Sequence, residues 1–160
     1  MPAAVNVFGP AAISVDVGSG LTALGYTRQG AEIRDQAFWI DVPGDQYGGD
    51  QGPPIDVQYL GEIARIRLEL TKWDETVATN LRARLAGDTE GQPGTPGTLM
   101  FGGSKCSRLL INPTTGPWNF PRAFLRDVWE MNKGTKYSTL VLEYEAHKDA
   151  NGVLYNAVST

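Results

Sequence analysis

Histidine and cysteine are almost absent from this chain, which has one of each, His147 and Cys106. Serine and cysteine hydrolases usually need a histidine base, and a structural zinc site draws its ligands from several cysteines and histidines. His147 stands beside Lys148 and Asp149 in a stretch typical of a hairpin turn, which favours a solvated turn residue. Cys106 has no second cysteine to pair with and favours ordinary packing. We therefore expect no enzymatic activity, no metal and no other cofactor.

Two further features are missing, a surplus of basic residues and a long apolar run. The chain has 14 Lys and Arg against 18 Asp and Glu, a formal net charge of -4. Proteins that grip nucleic acid need a basic surface, so tight binding to DNA or RNA is not expected. No stretch approaches the roughly 20 apolar residues that cross a bilayer, and the first residues lack a signal-peptide pattern. We expect synthesis in the cytoplasm and no membrane contact.

Two segments that are present, Glu62–Leu70 and Tyr137–Ala146, alternate between apolar and polar residues. Successive side chains of a strand point to opposite faces, so each segment has one face for the core and one solvated face. The solvated faces hold the charged side chains Arg65, Arg67, Glu69, Glu143 and Glu145. Together with 19 glycines and 10 prolines, which indicate many turns, this predicts a mainly β protein.

Other strands and a single helix complete the predicted fold. A strand, turn and strand are expected over Ala12–Tyr26, and Glu32–Asp41 has bulky side chains on both faces, which predicts burial on both sides. Asp74–Ala86 has apolar residues at helical spacing behind an Asp cap. The remaining predicted strands are Cys106–Ile111, Ala123–Met131 and Leu154–Val158. We predict an antiparallel β-sandwich or barrel with one packed α-helix, spanning residues 12–160 after an N-terminal arm of residues 1–11.

Two long segments rich in glycine and proline, Val42–Pro54 and Gly87–Gly103, are predicted to be loops. The first contains Asp45 and Asp50, whose carboxylates are conceivable calcium ligands, because hard cations favour clustered oxygens on flexible loops. Their spacing does not fit the EF-hand pattern. Calcium binding is therefore not the favoured interpretation, and a polar, glycine-rich loop of this kind is instead expected to contact another subunit.

The segment from Leu24 to Leu70 resembles the major tail tube proteins of long-tailed bacteriophages. The resemblance lies in an ordered run: a hairpin in LGYTRQGAEI, a long strand, a loop with DQYG, and a strand ending in EIARIRLEL. The matching positions are Gly25, Thr27, Gly30, Ile33, Asp45 to Gly48, Pro54, Asp56, Gly61, Ala64 and Ile66. The family usually has a helix where Asp74–Ala86 stands here. This chain departs from the pattern by the extra residues GGDQGP after the DQYG match.

The resemblance implies a virion tail protein, made in the host cytoplasm, that forms stacked hexameric rings around a channel through which DNA passes without specific binding. It also implies a tape measure protein and a tail terminator protein as partners. Ring closure would pair strand edges that a lone copy leaves open. The proposed contacts between subunits are Asp45, Gln46, Tyr47, Gly48 and Gly49. The candidate lumen residues, for a wall that repels DNA, are Arg65, Arg67, Glu69, Glu143 and Glu145.

Two alternatives remain open at the level of sequence. The first is another virion β protein, namely a tail terminator, a neck protein or a capsid decoration protein, because fold does not determine function. The second is a carbohydrate-binding β-sandwich in which Trp118 and Trp129 stack on sugar rings. Aromatic clusters of this kind more often fill a core or an interface.

Overall fold

The computed structural model describes residues 11–16, 20–44, 52–86, 96–100, 106–112, 116–132, 134 and 138–157. Within these ranges the chain forms seven strands and one helix. In chain order they are β1 (Ala12–Asp16), β2 (Leu21–Val42), β3 (Asp56–Trp73), α1 (Glu75–Ala86), β4 (Ser107–Asn112), β5 (Trp118–Asn132), β6 (Thr139–Ala146) and β7 (Asn156–Ala157). Residues 1–10, most of the predicted arm, lie outside the described ranges, and the predicted domain boundary stays a prediction.

The strands form one antiparallel sheet in the order β4-β1-β2-β3-β6-β5-β7, and an additional pairing of β4 with β5 closes six of them into a ring. The predicted class, a mainly antiparallel β fold of sandwich or barrel type with a single packed helix, is confirmed. One expectation is wrong. We expected that the strand edges of a single copy would be paired only by neighbouring copies, but the barrel closes within one chain through the pairing of β4 with β5.

The core lies inside this barrel and follows the alternation of β3 and β6. Ile66 is the register partner of Tyr144, and Leu68 is the partner of Leu142. All four side chains are almost completely buried. Leu109, Ile111 and Phe120 from β4 and β5 are buried in the same cluster. The two segments with the clearest alternation therefore supply the centre of the core, as predicted.

Helix α1 packs against the barrel through Ala78 and Leu81, both buried in the core cluster. Its first turn is capped by Asp74, whose Oδ1 accepts hydrogen bonds from the backbone nitrogens of Thr76 at 2.9 Å and Val77 at 3.1 Å. An N-cap of this kind satisfies amide groups that have no partner inside the helix. The predicted helix and its capping residue are confirmed.

Strands β2 and β3 are much longer than the barrel needs. β1 pairs with β2 only over Leu21–Tyr26, and β6 pairs with β3 only over Ala64–Leu70. The two strands continue beyond the barrel as a two-stranded extension, which we call the ribbon, made of residues 36–44 and 55–63. Its outer end is held by the hydrogen bond from the nitrogen of Ile55 to the oxygen of Val42, 3.0 Å long.

A bulge interrupts the ribbon close to the barrel. Phe38 is the register partner of Gly61, whereas the next residue, Trp39, is the partner of Tyr59, so Leu60 is an extra residue in β3. Gly61 has a φ of 131°, a conformation that side-chain-bearing residues rarely adopt. A β-bulge of this type displaces the following residues of its strand relative to the partner strand.

Replacing Ile66 by alanine should lower the free energy of unfolding by about 2–5 kcal/mol, because the side chain is buried at the centre of the core. Urea denaturation of dilute protein measures this change. Thr71→Ala, at an exposed position of the same strand, is the control and should change the value by less than about 0.5 kcal/mol. Equal effects of the two substitutions would contradict the assignment of the core.

Candidate assembly surfaces

The ribbon exposes large apolar side chains on both of its faces. They are between 42% and 59% exposed, and they are Phe38, Trp39, Ile40, Ile55, Val57, Tyr59 and Leu60. The prediction that bulk on both faces of Glu32–Asp41 means burial on both sides is therefore wrong for the single chain. Contiguous exposed apolar surface on a folded protein marks a site of interaction. Among the described residues, no surface covers these side chains.

Trp39 and Tyr59 form the aromatic centre of one ribbon face. They are register partners, and their ring centroids lie 5.0 Å apart with the planes tilted by 58°. Cross-strand aromatic pairs stabilise a two-stranded structure that would otherwise be marginal in water. The pair holds the ribbon in shape and still leaves about half of each ring exposed.

Gly44 shapes the end of the ribbon. A Cβ atom at this position would lie 2.1 Å from Cγ2 of Ile55, which is far inside contact distance. The strands approach closely there because glycine has no side chain. The predicted subunit contacts begin at the next residue, and Asp45, Gln46, Tyr47, Gly48 and Gly49 lie outside the described residues. Their role stays a prediction.

The backbone edges of the ribbon are also unpaired. Among the described residues, no strand pairs with the outer edge of β2 over 31–42 or with that of β3 over 56–63. Open strand edges present rows of amide and carbonyl groups that pair readily with another chain. The expectation that a single copy leaves strand edges open is therefore wrong for the barrel but correct for the ribbon among the described residues.

A second surface lies on the outer side of the barrel, on the faces of β2, β3, β6 and β5 that point away from the core. We call it the charged face. It forms a shallow groove in which four arginines and three glutamates meet: Arg34, Arg65, Arg67, Arg126, Glu32, Glu143 and Glu145. Glu69 borders the adjoining groove together with Glu32 and Arg67. All five candidate lumen residues therefore share this side of the sheet.

Three members of the charged face, Glu32, Arg34 and Arg126, were not found from the sequence. Glu32 and Arg34 alternate with apolar residues in β2, and their register partners across the strands are Arg67 and Arg65. The alternation of polar and apolar residues in β2 would therefore have been enough to predict that Glu32 and Arg34 share this face. Arg126 lies within an irregularity of β5 between Leu125 and Trp129, so its side of the sheet cannot be read from spacing.

Glu145 is buried, in contrast to the solvated position predicted for it. Arg126 donates a hydrogen bond from Nη1 to one carboxylate oxygen, and Nε2 of His147 lies 2.7 Å from the other. Burial alone raises the pKa of Glu145, but the hydrogen bonds from His147 and Arg126 outweigh it and hold the pKa below its ordinary value. Glu143 is half-buried, whereas Arg65, Arg67 and Glu69 are exposed.

His147 is likewise not the solvated turn residue that was predicted. Its ring is half-buried against Glu145 and stacks on Phe124, with centroids 5.9 Å apart. Its backbone nitrogen donates to the oxygen of Arg122 at 2.9 Å. The histidine thus extends the β5–β6 pairing and helps to hold a buried carboxylate.

Of the alternative ligand sites, only Trp118 can be placed, because Asp45, Asp50 and the side chain of Trp129 lie outside the described residues. Trp118 stacks on Tyr155 with centroids 4.9 Å apart, so one face of its indole is already covered. In the part of the chain that is described, no group of three His, Cys, Asp or Glu side chains is arranged to hold a metal. Nor does that part contain a helix long and apolar enough to cross a membrane.

Comparison with solved structures finds the same fold in gene transfer agent particles. A chain of the virion of a native gene transfer agent particle superposes with a TM-score of 0.51 at 11% identity, over 92% of this chain and 95% of that one. A chain from the tail of an empty gene transfer agent particle, refined helically with C6 symmetry, gives 0.52 at 13% identity over the same shares. No family model and no curated protein matches the sequence. At this identity the similarity establishes a shared fold.

Glu145→Gln should destabilise the protein by about 1–3 kcal/mol at pH 7, because it weakens two charge-assisted hydrogen bonds to a buried group. A carboxylate with a lowered pKa stabilises the folded state above its unfolded pKa of about 4.3, and this contribution is lost as pH falls through the folded pKa. The difference between the two proteins should therefore shrink toward pH 3.

Urea denaturation at pH 7, 5 and 3 measures this difference. The control is Glu69→Gln, which removes an exposed carboxylate from the same side of the sheet and should have little effect at any of these pH values. A gap between Glu145→Gln and the wild type that is independent of pH would show that the carboxylate contributes through its shape and not its charge.

Proposed function

We propose that this protein is a structural subunit of a phage-like tail that assembles into stacked hexameric rings and so forms the tail tube. The observation that carries the proposal is the ribbon, with apolar side chains on both faces and two unpaired edges. The shared fold with a chain of a C6-symmetric gene transfer agent tail supports it. So does the resemblance of Leu24–Leu70 to major tail tube proteins.

The ribbon has the chemistry of an interface between copies. Complete burial of one large apolar side chain is worth about 1.5–3 kcal/mol, and those of the ribbon are roughly half exposed. Association costs about 4–15 kcal/mol in lost freedom of motion, so several of these side chains must be covered at once. A surface that docks on a different surface of an identical copy generates a ring when the rotation closes. Two apolar faces can contact two neighbours simultaneously.

The charged face is proposed to line the channel. In this arrangement Arg65, Arg67, Glu69 and Glu143 face the lumen, as predicted from the sequence, and Glu145 lies buried on the same side of the sheet. Passage of DNA requires that few phosphates are held at any moment, because each neutralised phosphate adds to affinity. A surface on which arginines are interleaved with glutamates meets this requirement without being strongly acidic. Tape measure and tail terminator proteins are proposed partners on the strength of the family resemblance.

Trp39→Ser combined with Ile40→Ser should abolish assembly, because it removes apolar surface from both faces of the ribbon without changing the charge. Wild-type protein at high concentration should form rings and stacked tubes with six-fold symmetry in negative-stain electron microscopy. Leu99→Ser is the matched control, since Leu99 is an exposed apolar residue outside the ribbon.

The same images separate the competing roles. Wild-type protein that remains monomeric at high concentration would refute the proposal. Rings that never stack would favour a tail terminator or neck role. Tubes formed by the Trp39→Ser/Ile40→Ser protein would show that the ribbon is not the interface.

Asp45→Lys combined with Tyr47→Ala should impair assembly and leave folding intact. These residues follow the end of the ribbon and form part of a polar, glycine-rich stretch that is poorly suited to a core. The melting temperature of the dilute protein should stay close to that of the wild type while tubes fail to appear. Normal tubes would exclude residues 45–49 from the subunit contacts.

A further inference from the structure

Four arginines lie together on the charged face, a larger cluster of basic groups than an acidic protein would suggest. Arg34 and Arg65 are register partners, and Arg67 follows two residues later on the same face of β3. Arg126 reaches the same groove from β5. Directly opposed side chains on adjacent strands have Cβ atoms about 4.5–5.5 Å apart. Without neutralising groups, this strip would be a binding surface for the phosphates of DNA.

Each of these arginines has a glutamate as a neighbour. Glu32 lies beside Arg34, with Nη2 and Oε1 3.6 Å apart, and is also the register partner of Arg67. Glu143 is the register partner of Arg67 on the other side, so this arginine stands between two carboxylates. A third pairing places Glu145 opposite Arg65, and Glu145 also accepts the hydrogen bond from Arg126.

The carboxylates differ in what else they do. Glu145 is buried and contributes to the stability of the barrel, as argued above. Glu32 is exposed and Glu143 is half-buried, and the side chains of the Glu32 and Arg34 pair are 64% and 77% exposed. Exposed ion pairs of this kind contribute little to folding stability. The carboxylates of Glu32 and Glu143 therefore act mainly by lowering the positive electrostatic potential of the groove.

We propose that Glu32 and Glu143 mask a latent DNA-binding strip formed by Arg34, Arg65 and Arg67, and that this masking makes the charged face indifferent to the phosphate backbone. The biological role of this masking rests on the proposed function, because the wall of a tail channel must let DNA slide past it. The masking itself is a property of a single chain.

The test compares DNA binding by wild type and by Glu32→Gln/Glu143→Gln, each in the assembly-deficient background Trp39→Ser/Ile40→Ser. Fluorescence anisotropy with a labelled 30-base-pair duplex at about 50 mM salt gives the dissociation constants. The wild-type face should show no saturable binding. The double glutamine variant should bind at least tenfold more tightly. Its log-log salt slope should be about -2 or steeper, because two or more phosphates are neutralised at about 0.9 per contact.

Two further variants make the outcome specific. Asp35→Asn/Glu62→Gln changes the net charge equally, but its residues pair with Ala64 and Ala37 and do not lie opposite the arginines. It should not gain affinity. Adding Arg67→Gln to Glu32→Gln/Glu143→Gln should abolish the gain. If the half-buried position does not tolerate glutamine, Glu32→Gln alone should give a smaller increase with the same dependence on Arg67.

The proposal is overturned if the masked and unmasked proteins bind DNA equally, or if Asp35→Asn/Glu62→Gln gains as much affinity as Glu32→Gln/Glu143→Gln. Failure of the tail tube proposal has a different signature, because it is read from the absence of tubes in the protein with an intact ribbon. If the protein forms no tubes but Glu32→Gln/Glu143→Gln gains DNA affinity, the masking proposal stands and the tail tube proposal fails.

Discussion

The antiparallel pairing of β2 with β3 is the interaction on which the rest of the structure depends. It runs from Gly25 opposite Trp73 to Val42 opposite Asp56, and it passes from the closed barrel into the free ribbon. Within the barrel, the pairing sets Arg34 opposite Arg65 and Glu32 opposite Arg67 on the charged face. Beyond the barrel, it carries apolar side chains to a place where no other described part of the chain covers them. One ladder of hydrogen bonds thus places both candidate functional surfaces.

Much of the barrel could be predicted because burial on one side leaves a visible alternation. Ile66 and Leu68 stand at every second position between charged residues, and their burial follows directly from that spacing. The helix cap at Asp74 could also be predicted, because Asp74 bonds to backbone groups only two and three residues further along the chain. The pairing of β4 with β5, which closes the ring, could not be predicted from the sequence. The residue pattern of each strand shows that it is a strand, but it does not show which other strand it pairs with.

The errors share a physical cause, which is that alternation does not say what covers a face. Bulk at Phe38 and Trp39 indicated burial, yet none of the described residues supplies a surface that covers them. Glu145 was expected in water, yet Arg126 from β5 and His147 just beyond the end of β6 satisfy its two carboxylate oxygens. A charged residue in a strand is solvated only if no partner reaches it, and such partners are decided by the three-dimensional arrangement.

The extra residue Leu60 beside Gly61 gives β3 one residue more than β2 between the barrel and the outward end of the molecule. From Arg67 to Gly61, odd-numbered residues of β3 lie opposite even-numbered residues of β2, whereas Tyr59 lies opposite the odd-numbered Trp39. A lineage that lost Leu60 would bring Tyr59 next to Gly61 and still opposite Trp39. The cross-strand pairs of the protruding end would survive such a deletion, because the ladder would lose only its interruption.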